Sequence, residues 1–143
     1  MTTAFQARTT IDHPRDRVWR TLTDWEHADS WMPGITDPEA DGPTAVGMTL
    51  RFESRGRAHE SRVVACEPEH LLVLRSEQGG VTADYEYRLT ADATATLVEL
   101  SADVSTTGAW TLLAPVIRRA IRRADGGQLA ELARAVAASA APG

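Results

Sequence analysis

Several features that would assign this sequence to a function class are absent or rare. It has one cysteine, Cys66, among 143 residues, which excludes an internal disulfide and a cysteine-rich zinc site. No apolar run approaches the roughly 18 residues of a membrane span. The first residues also lack the charged-then-apolar layout of a secretory signal. We therefore expect a cytoplasmic protein with no membrane span.

Positive charge is also scarce. The chain has 15 basic residues, all of them arginine, against 20 acidic ones, and its formal net charge is −5. Broad binding to nucleic acid relies on an excess of positive charge. We therefore expect no nucleic-acid partner.

Four arginines are nevertheless clustered near the C-terminus, at Arg118, Arg119, Arg122 and Arg123. Their spacing puts them on one face of a helix, where they could hold a phosphate or an acidic carrier protein. The alternative is a solvated helix face, balanced by Asp125 and by nearby strand carboxylates. We favour the solvated face, because exposed charges are normal on amphipathic helices.

Motifs of the common catalytic classes are missing. The sequence contains no GxSxG, P-loop, GxGxxG or HExxH pattern. Its four histidines, His13, His27, His59 and His70, are far apart and fall on different predicted elements. Because metal ligands usually recur at short, regular spacings, we expect no metal site and no cofactor.

What the sequence does contain is a regular order of amphipathic segments. Residues 4–11 alternate between apolar and polar, which predicts a first strand. A helix is predicted to begin at Pro14, because proline suits the first helical position. A second short helix is predicted over 24–31, and an edge strand over 35–39.

The middle of the chain consists of strands at hairpin spacing. Counting outward from a two-residue turn at Arg55-Gly56 sets Arg51 opposite Glu60 and Phe52 opposite His59. This register makes an ion pair on the solvent face and places His59 with Phe52 on the inner face.

A second hairpin is predicted around Gly79-Gly80. Its register sets Arg75 opposite Asp84 on the solvent face, so both hairpins yield a complementary charge pair independently. The inner-face pairs of this hairpin are Leu74 with Tyr85 and Leu72 with Tyr87.

The longest helical stretch covers residues 109–138. Pro115 is tolerated only near a helix start, so the helix is predicted to begin between 110 and 113. Beyond Gly126-Gly127 the apolar stripe rotates around the helix, which predicts a kink or break at that pair. Residues 137–143 are predicted to form a frayed tail.

These elements predict one fold class. The chain is long enough to bury a core as a single domain, 1–143. An antiparallel sheet with one apolar face, followed by a long amphipathic helix, buries that face by curling around the helix. We therefore predict an α+β fold, with a curved antiparallel sheet of six to seven strands wrapped around a C-terminal helix and two short helices after the first strand.

The order of elements, over residues 5–136, resembles the START-like and Bet v 1-like (SRPBCC) helix-grip superfamily. The residues that carry the resemblance are Val18-Trp19 and Leu22 in a Pro-initiated helix, Asp24, Trp31-Met32-Pro33, Gly47, Pro68 and the closing run 113–132. Within the superfamily the chain is similar to the polyketide cyclase/dehydrase and lipid-transport group. That resemblance implies a deep cavity between the sheet and the long helix, entered near the two short helices.

The candidate catalytic residues are His59 and Tyr85. His59 is the only side chain with a near-neutral ordinary pKa that the predicted register places inside. It could carry a proton in a solvated cavity, or be a neutral histidine in a dry core. Tyr85 and Tyr87 each bring a hydroxyl that needs a partner, either within the core or on a ligand carbonyl.

The candidate ligand-binding residues lie on the predicted inner face or near the predicted entrance. They are Trp31, Leu50, Phe52, Ser61, Leu74, Tyr87, Leu100, Trp110, Leu113 and Ile117. No carboxylate or arginine is predicted to point inward.

Two functions fit such a cavity. In the first, the protein binds a small hydrophobic or aromatic molecule, polyketide-like or lipid-like, and acts as a cofactor-free cyclase or dehydratase in which His59 moves a proton and a tyrosine polarises a carbonyl. In the second, it is a non-catalytic carrier of a hydrophobic ligand, or an interaction module. An interaction module would need a large exposed apolar patch, which the strand pattern does not predict. Both a monomer and a homodimer are compatible with the sequence.

Overall fold

A curved, seven-stranded antiparallel sheet forms the body of the protein. The computed structural model describes residues 2–32, 34–125 and 127–140. The strands are β1 (Thr2–Ile11), β2 (Ile35–Ala40), β3 (Thr49–Ser54), β4 (Arg57–Glu67), β5 (Leu71–Gln78), β6 (Val81–Asp92) and β7 (Ala95–Thr106). They lie in the order β1-β7-β6-β5-β4-β3-β2, so β2 to β7 form a meander and β1 closes against β7. The predicted α+β helix-grip fold is confirmed.

The helical segments of the described residues lie before and after this meander. They are α1 (Arg15–Leu22), a first 3₁₀ helix (Trp25–Ser30), a second 3₁₀ helix (Gly108–Leu113), α2 (Ala114–Asp125) and α3 (Gln128–Ala140). Pro14 is the N-cap of α1 rather than its first residue. Val18 and Leu22, one turn apart, are fully buried, so α1 packs on the core through the face that carries these two residues.

Both predicted hairpin registers are confirmed. Arg51 pairs with Glu60 across β3 and β4, with 3.8 Å between the Arg51 Nε and a Glu60 carboxylate oxygen. Arg75 pairs with Asp84 across β5 and β6 through two hydrogen bonds of 2.8 and 2.9 Å. The β3–β4 turn has positive φ at both central residues, Arg55 and Gly56, which is the turn geometry that matches the twist of a hairpin.

The C-terminal helix is divided where the sequence predicts a break. It starts as the second 3₁₀ helix, continues as α2 to Asp125, and resumes as α3 at Gln128. Gly126 lies outside the described residues, and Gly127 has no left-handed φ. The helix continues to Ala140 through part of the tail that was predicted to fray, and residues 141–143 lie outside the described residues.

The two halves of this helix pack differently. In α3, Leu129, Leu132 and Val136 are all buried, and the helix contacts α1, β1 and the first 3₁₀ helix. In contrast, α2 has no buried residue, and it contacts β1 and β7. Its apolar side chains Ile117 and Ile121 are only partly buried. The sheet is therefore closed tightly by α3 and loosely by α2.

Candidate functional site

A cavity of about 790 Å³ lies between α2 and the inner face of strands β3 to β6. Its apolar wall comes from alternate residues of the strands and from one side of α2. The main apolar lining residues are Leu50, Phe52, Leu74, Val81, Ile117 and Ile121. Because every second residue of a strand points to the same face, the predicted hairpin registers decide which strand side chains reach the cavity.

The rim of the cavity includes exposed residues from two turns. Arg55 in the β3–β4 turn, Gly79 in the β5–β6 turn and the half-exposed Trp110 all line it. Met32 and Gly34, which follow the first 3₁₀ helix, also contribute to the lining. The sequence resemblance implies an entrance near this last position.

One end of the cavity carries a connected set of polar groups. The Tyr85 hydroxyl donates a hydrogen bond of 2.6 Å to the Asp125 carboxylate. The Tyr87 hydroxyl donates to the side-chain oxygen Oε1 of Gln128, and the Gln128 side chain lies close enough to Asp125 to lower the pKa of its carboxyl. β6 thus supplies two phenols that donate hydrogen bonds, and the junction of α2 and α3 supplies the groups that accept them. We call Tyr85, Tyr87, Asp125 and Gln128 the polar end.

Burial raises the pKa of the three ionisable groups of the polar end. Loss of solvent, followed by the nearby Asp125 charge, raises the pKa of both Tyr85 and Tyr87 far above the usual range, so both phenols stay protonated at neutral pH. Burial also raises the pKa of Asp125, although the hydrogen bonds from Tyr85 and Gln128 act in the opposite direction. The carboxylate is therefore held in surroundings that disfavour its charge.

Asp125 corrects the sequence interpretation in two ways. The sequence predicts no inward carboxylate and assigns Asp125 to balance the arginine face, whereas the residue lines the cavity and bonds to Tyr85. The signal that identifies it is helical spacing, because Ile117, Ile121 and Asp125 are four residues apart and share a face. Gln128, the other missed residue, lies one turn further along the chain and is buried.

The predicted inward histidine does line the cavity. The His59 ring stacks on Phe52, with 5.7 Å between ring centroids and 20° between planes. Its Nδ1 is hydrogen-bonded to the side chain of Gln78. Nearby strand positions bring Ser61 and Ser76 together at 2.7 Å between hydroxyl oxygens, so this wall also has polar atoms that are already partnered.

The structure brings most of the predicted site residues to the cavity but leaves three outside its lining. The candidates on the lining are Leu50, Phe52, His59, Ser61, Leu74, Tyr85, Tyr87, Trp110 and Ile117. Trp31 is buried behind the wall, edge-on to Tyr87 with ring centroids 6.0 Å apart. Leu100 is part of the closed core, and Leu113 is 49% exposed because it lies at the end of the second 3₁₀ helix.

The arginine face is not balanced as the sequence suggested. Among the described residues, no carboxylate lies within 4.0 Å of a side-chain nitrogen of Arg118, Arg119, Arg122 or Arg123. Arg122 instead donates two hydrogen bonds, of 3.0 and 3.2 Å, to the backbone carbonyl of Ala4. That carbonyl lies at a register shift between β1 and β7, so Arg122 ties α2 to the first strand.

An exposed apolar ridge, which the strand pattern did not predict, precedes this face. It consists of Trp110, Leu112, Leu113 and Val116, with exposed fractions of 45, 86, 49 and 65%. These residues lie on the second 3₁₀ helix and the first turn of α2. A pattern of alternation along the strands therefore contains no information on their exposure.

The described residues offer neither a cluster of metal ligands nor a membrane-spanning helix. Nowhere in 2–32, 34–125 and 127–140 do three or more His, Cys, Asp or Glu side chains converge as metal ligands would. Within the same residues, no helix combines the length and the apolar character needed to cross a bilayer.

Solved structures with this architecture define the fold class. The chain is similar to TTHA0849 from Thermus thermophilus, with a TM-score of 0.75 and 17% identity over 95% of this chain and 98% of that one. It is also similar to Ara h 8.0201, with a TM-score of 0.72 and 14% identity over 94% and 97% of the two chains. A third similar structure is norcoclaurine synthase from Thalictrum flavum, with a TM-score of 0.67 and 16% identity over 94% of this chain and 84% of that one. At these identities the likeness establishes the helix-grip fold.

The family follows from the sequence match. Residues 2–137 match the family model described as polyketide cyclase/dehydrase and lipid transport. The chain therefore belongs to that family. No curated protein sequence matches it significantly.

Proposed function

We propose that this protein binds a small, largely hydrophobic or aromatic molecule in the cavity beneath α2. The observation that carries the proposal is the cavity itself, about 790 Å³ with apolar walls and a few partnered polar groups at one end. Ligand sites in proteins typically have this volume range and this mixture of apolar surface with a few fixed polar atoms. The family description, which covers polyketide and lipid ligands, supports the same class of molecule.

The packing of α2 adds support. A helix that served only to close the core would bury its apolar side chains, as α3 does with Leu132 and Val136. In α2, Ile117 and Ile121 remain partly exposed toward the cavity. A bound apolar molecule would cover this surface and recover roughly 25 cal/mol for each Å² removed from water.

Carrier function is the simpler form of this proposal, and cofactor-free cyclase or dehydratase chemistry is the second candidate. Asp125 favours the second candidate, because a carboxylate with a raised pKa beside a phenol is suited to accept a proton. Tyr85 is less suited to polarise a ligand carbonyl than the sequence suggested, since its proton is already donated to Asp125. His59 remains a proposed ligand contact on the opposite strand pair.

A cavity-filling variant tests the proposal. Ala120 lines the cavity from α2 and is exposed, so Ala120→Trp should fill the binding space with little effect on the core. We expect titration with Nile red, a neutral apolar fluorophore, to show saturable binding to the wild type and at least tenfold weaker binding to Ala120→Trp. Both proteins should have similar melting temperatures.

The matched control is Ala130→Trp, at an exposed position of α3 that is not part of the lining. It should bind Nile red as the wild type does. Equal binding by all three proteins would place the dye outside the cavity, and absence of saturable binding to the wild type would argue against the proposed function itself.

A further inference from the structure

Both phenol hydroxyls at the polar end already donate hydrogen bonds within the protein. The Tyr85 hydroxyl donates to Asp125, and the Tyr87 hydroxyl donates to Gln128. The Gln128 side chain also lies near Asp125 and lowers the pKa of that carboxyl. Because a phenol has one proton and a carboxylate none, what Tyr85, Tyr87 and Asp125 leave for a ligand is lone pairs. These three residues thus form a hydrogen-bond acceptor surface.

This acceptor surface also carries an uncompensated negative charge. Among the described residues, no arginine or histidine nitrogen lies within 4.0 Å of the Asp125 carboxylate, and the chain contains no lysine. The groups that adjoin Asp125 are two neutral phenols from β6 and one amide from α3. The other ionisable groups of the lining, Arg55 and His59, belong to the β3–β4 hairpin. A partly buried carboxylate without a counter-charge is costly.

From this arrangement we infer that the cavity selects apolar molecules that carry a protonated amine, with the ammonium group bound to Asp125 and the phenol oxygens. The inference rests on the proposed function, since it concerns a ligand of the same cavity. An ammonium group has three donors and no acceptor, so it matches the lone pairs that the polar end leaves open. The apolar body of the ligand would lie against Ile117, Ile121 and Leu74, which line the adjoining walls.

A series of three ligands with one naphthalene body isolates the charge. They are 2-(2-naphthyl)ethylamine, 2-(2-naphthyl)ethanol and 2-naphthylacetate, which are cationic, neutral and anionic at pH 7. For the wild type we expect the amine to bind about 10- to 100-fold more tightly than the alcohol, and the acetate to bind more weakly than both. Isothermal titration calorimetry at low ionic strength gives the three dissociation constants.

Asp125→Asn removes the charge while keeping an oxygen that can accept the Tyr85 hydrogen bond. In this variant the amine should lose its advantage and bind no more tightly than the alcohol. The control is Asp92→Asn at the exposed end of β6, which changes net charge by the same amount and should preserve the preference. A second variant, Tyr85→Phe, retains the carboxylate but removes one phenol oxygen, so the preference for the amine should be reduced but not lost.

The outcomes separate this inference from the proposed function. If the alcohol binds to the wild type and the amine binds no more tightly, the inference is wrong and the proposed function stands. The inference is also wrong if the preference survives in folded Asp125→Asn. If none of the three ligands binds and Nile red also fails, the proposed function and the inference fall together.

Discussion

Asp125 is the residue on which the polar end of the cavity depends. It accepts the hydrogen bond of Tyr85, it lies beside Gln128, and it ends α2 at the point where the helix is interrupted. Tyr85 donates a hydrogen bond to it, but among the described residues no opposite charge lies beside it. Such a group is a familiar compromise at ligand sites, where stability is lost in exchange for a specific interaction.

The cost of this charge should be measurable as a pH-dependent stability difference. The pKa of Asp125 is raised in the folded protein, so its ionisation at neutral pH lowers the free energy of unfolding. This loss of stability is fully present above the pKa that Asp125 has in the folded protein. It disappears as the pH falls through that pKa toward the ordinary value of about 4. Asp125→Asn should therefore unfold at higher urea concentration than the wild type at pH 7, and the difference should shrink as the pH is lowered.

A matched measurement on Asp92→Asn checks this expectation, because Asp92 is exposed at the end of β6. That control should show little difference from the wild type at any pH in the series. If Asp125→Asn were instead less stable than the wild type at pH 7, with a difference that shrinks on acidification, the hydrogen bond to the ionised carboxylate would outweigh its burial and the expectation would be wrong.

Single residues are also where the sequence was least informative. The alternation of β3 and β5, counted across the two hairpin turns, was sufficient to place His59 of β4 and Tyr85 of β6 on the inner face. It gave no information on the hydrogen-bond partners of Tyr85 and Tyr87, which lie 40 and 41 residues away. Such partners depend on how the helix is set against the sheet, and a pattern within one element does not contain that distance.

At the scale of elements, the second 3₁₀ helix is fixed to the sheet by a close contact at the β5–β6 turn. A Cβ added to Gly80 would clash with Trp110 Cδ1 and would lie 2.8 Å from the Thr107 carbonyl oxygen. Thr107 also donates its backbone N–H to the Gly80 carbonyl at 2.8 Å. Glycine at this position therefore allows the chain that leaves β7 to lie directly on the turn.

Gly80→Ala should accordingly destabilise the protein by about 1–3 kcal/mol, the usual range for overpacking a close contact. Gly42→Ala is the control, because no atom lies within 4 Å of its added Cβ and its φ is not left-handed. Urea unfolding followed by tryptophan fluorescence compares the two. Equal stability of both variants would show that the 3₁₀ helix shifts freely and that the contact at Gly80 contributes little.

The elements themselves were largely predictable. Both hairpin registers followed from turn positions and period-2 alternation, and each was supported by a charge pair that the structure contains. The break between α2 and α3 followed from the change of phase at the glycine pair. The loose packing of α2 was not predictable, because its apolar stripe over Ile117 and Ile121 looks the same whether it faces a closed core or an open cavity.

At the scale of the whole molecule, the two halves of the C-terminal helix cover one curved sheet in different ways. α3 packs with α1 and β1 and completes the core. α2 lies at β1 and β7, where Arg122 is bonded to the Ala4 carbonyl, and it spans the cavity rather than filling it. The fold is therefore closely packed at one end and contains an open cavity at the other.

The most direct test of this account is to find where a ligand lies, by methyl-labelled NMR during titration with 2-(2-naphthyl)ethanol. We predict saturable shifts for the methyl groups of Leu74, Ile117 and Ile121, which line the cavity. The signals of Leu132 and Val136, which are buried on the core side of α3, should not change. Shifts confined to the exposed ridge at Leu112 and Val116, or no saturable shifts at all, would contradict the claim that the cavity beneath α2 is the binding site.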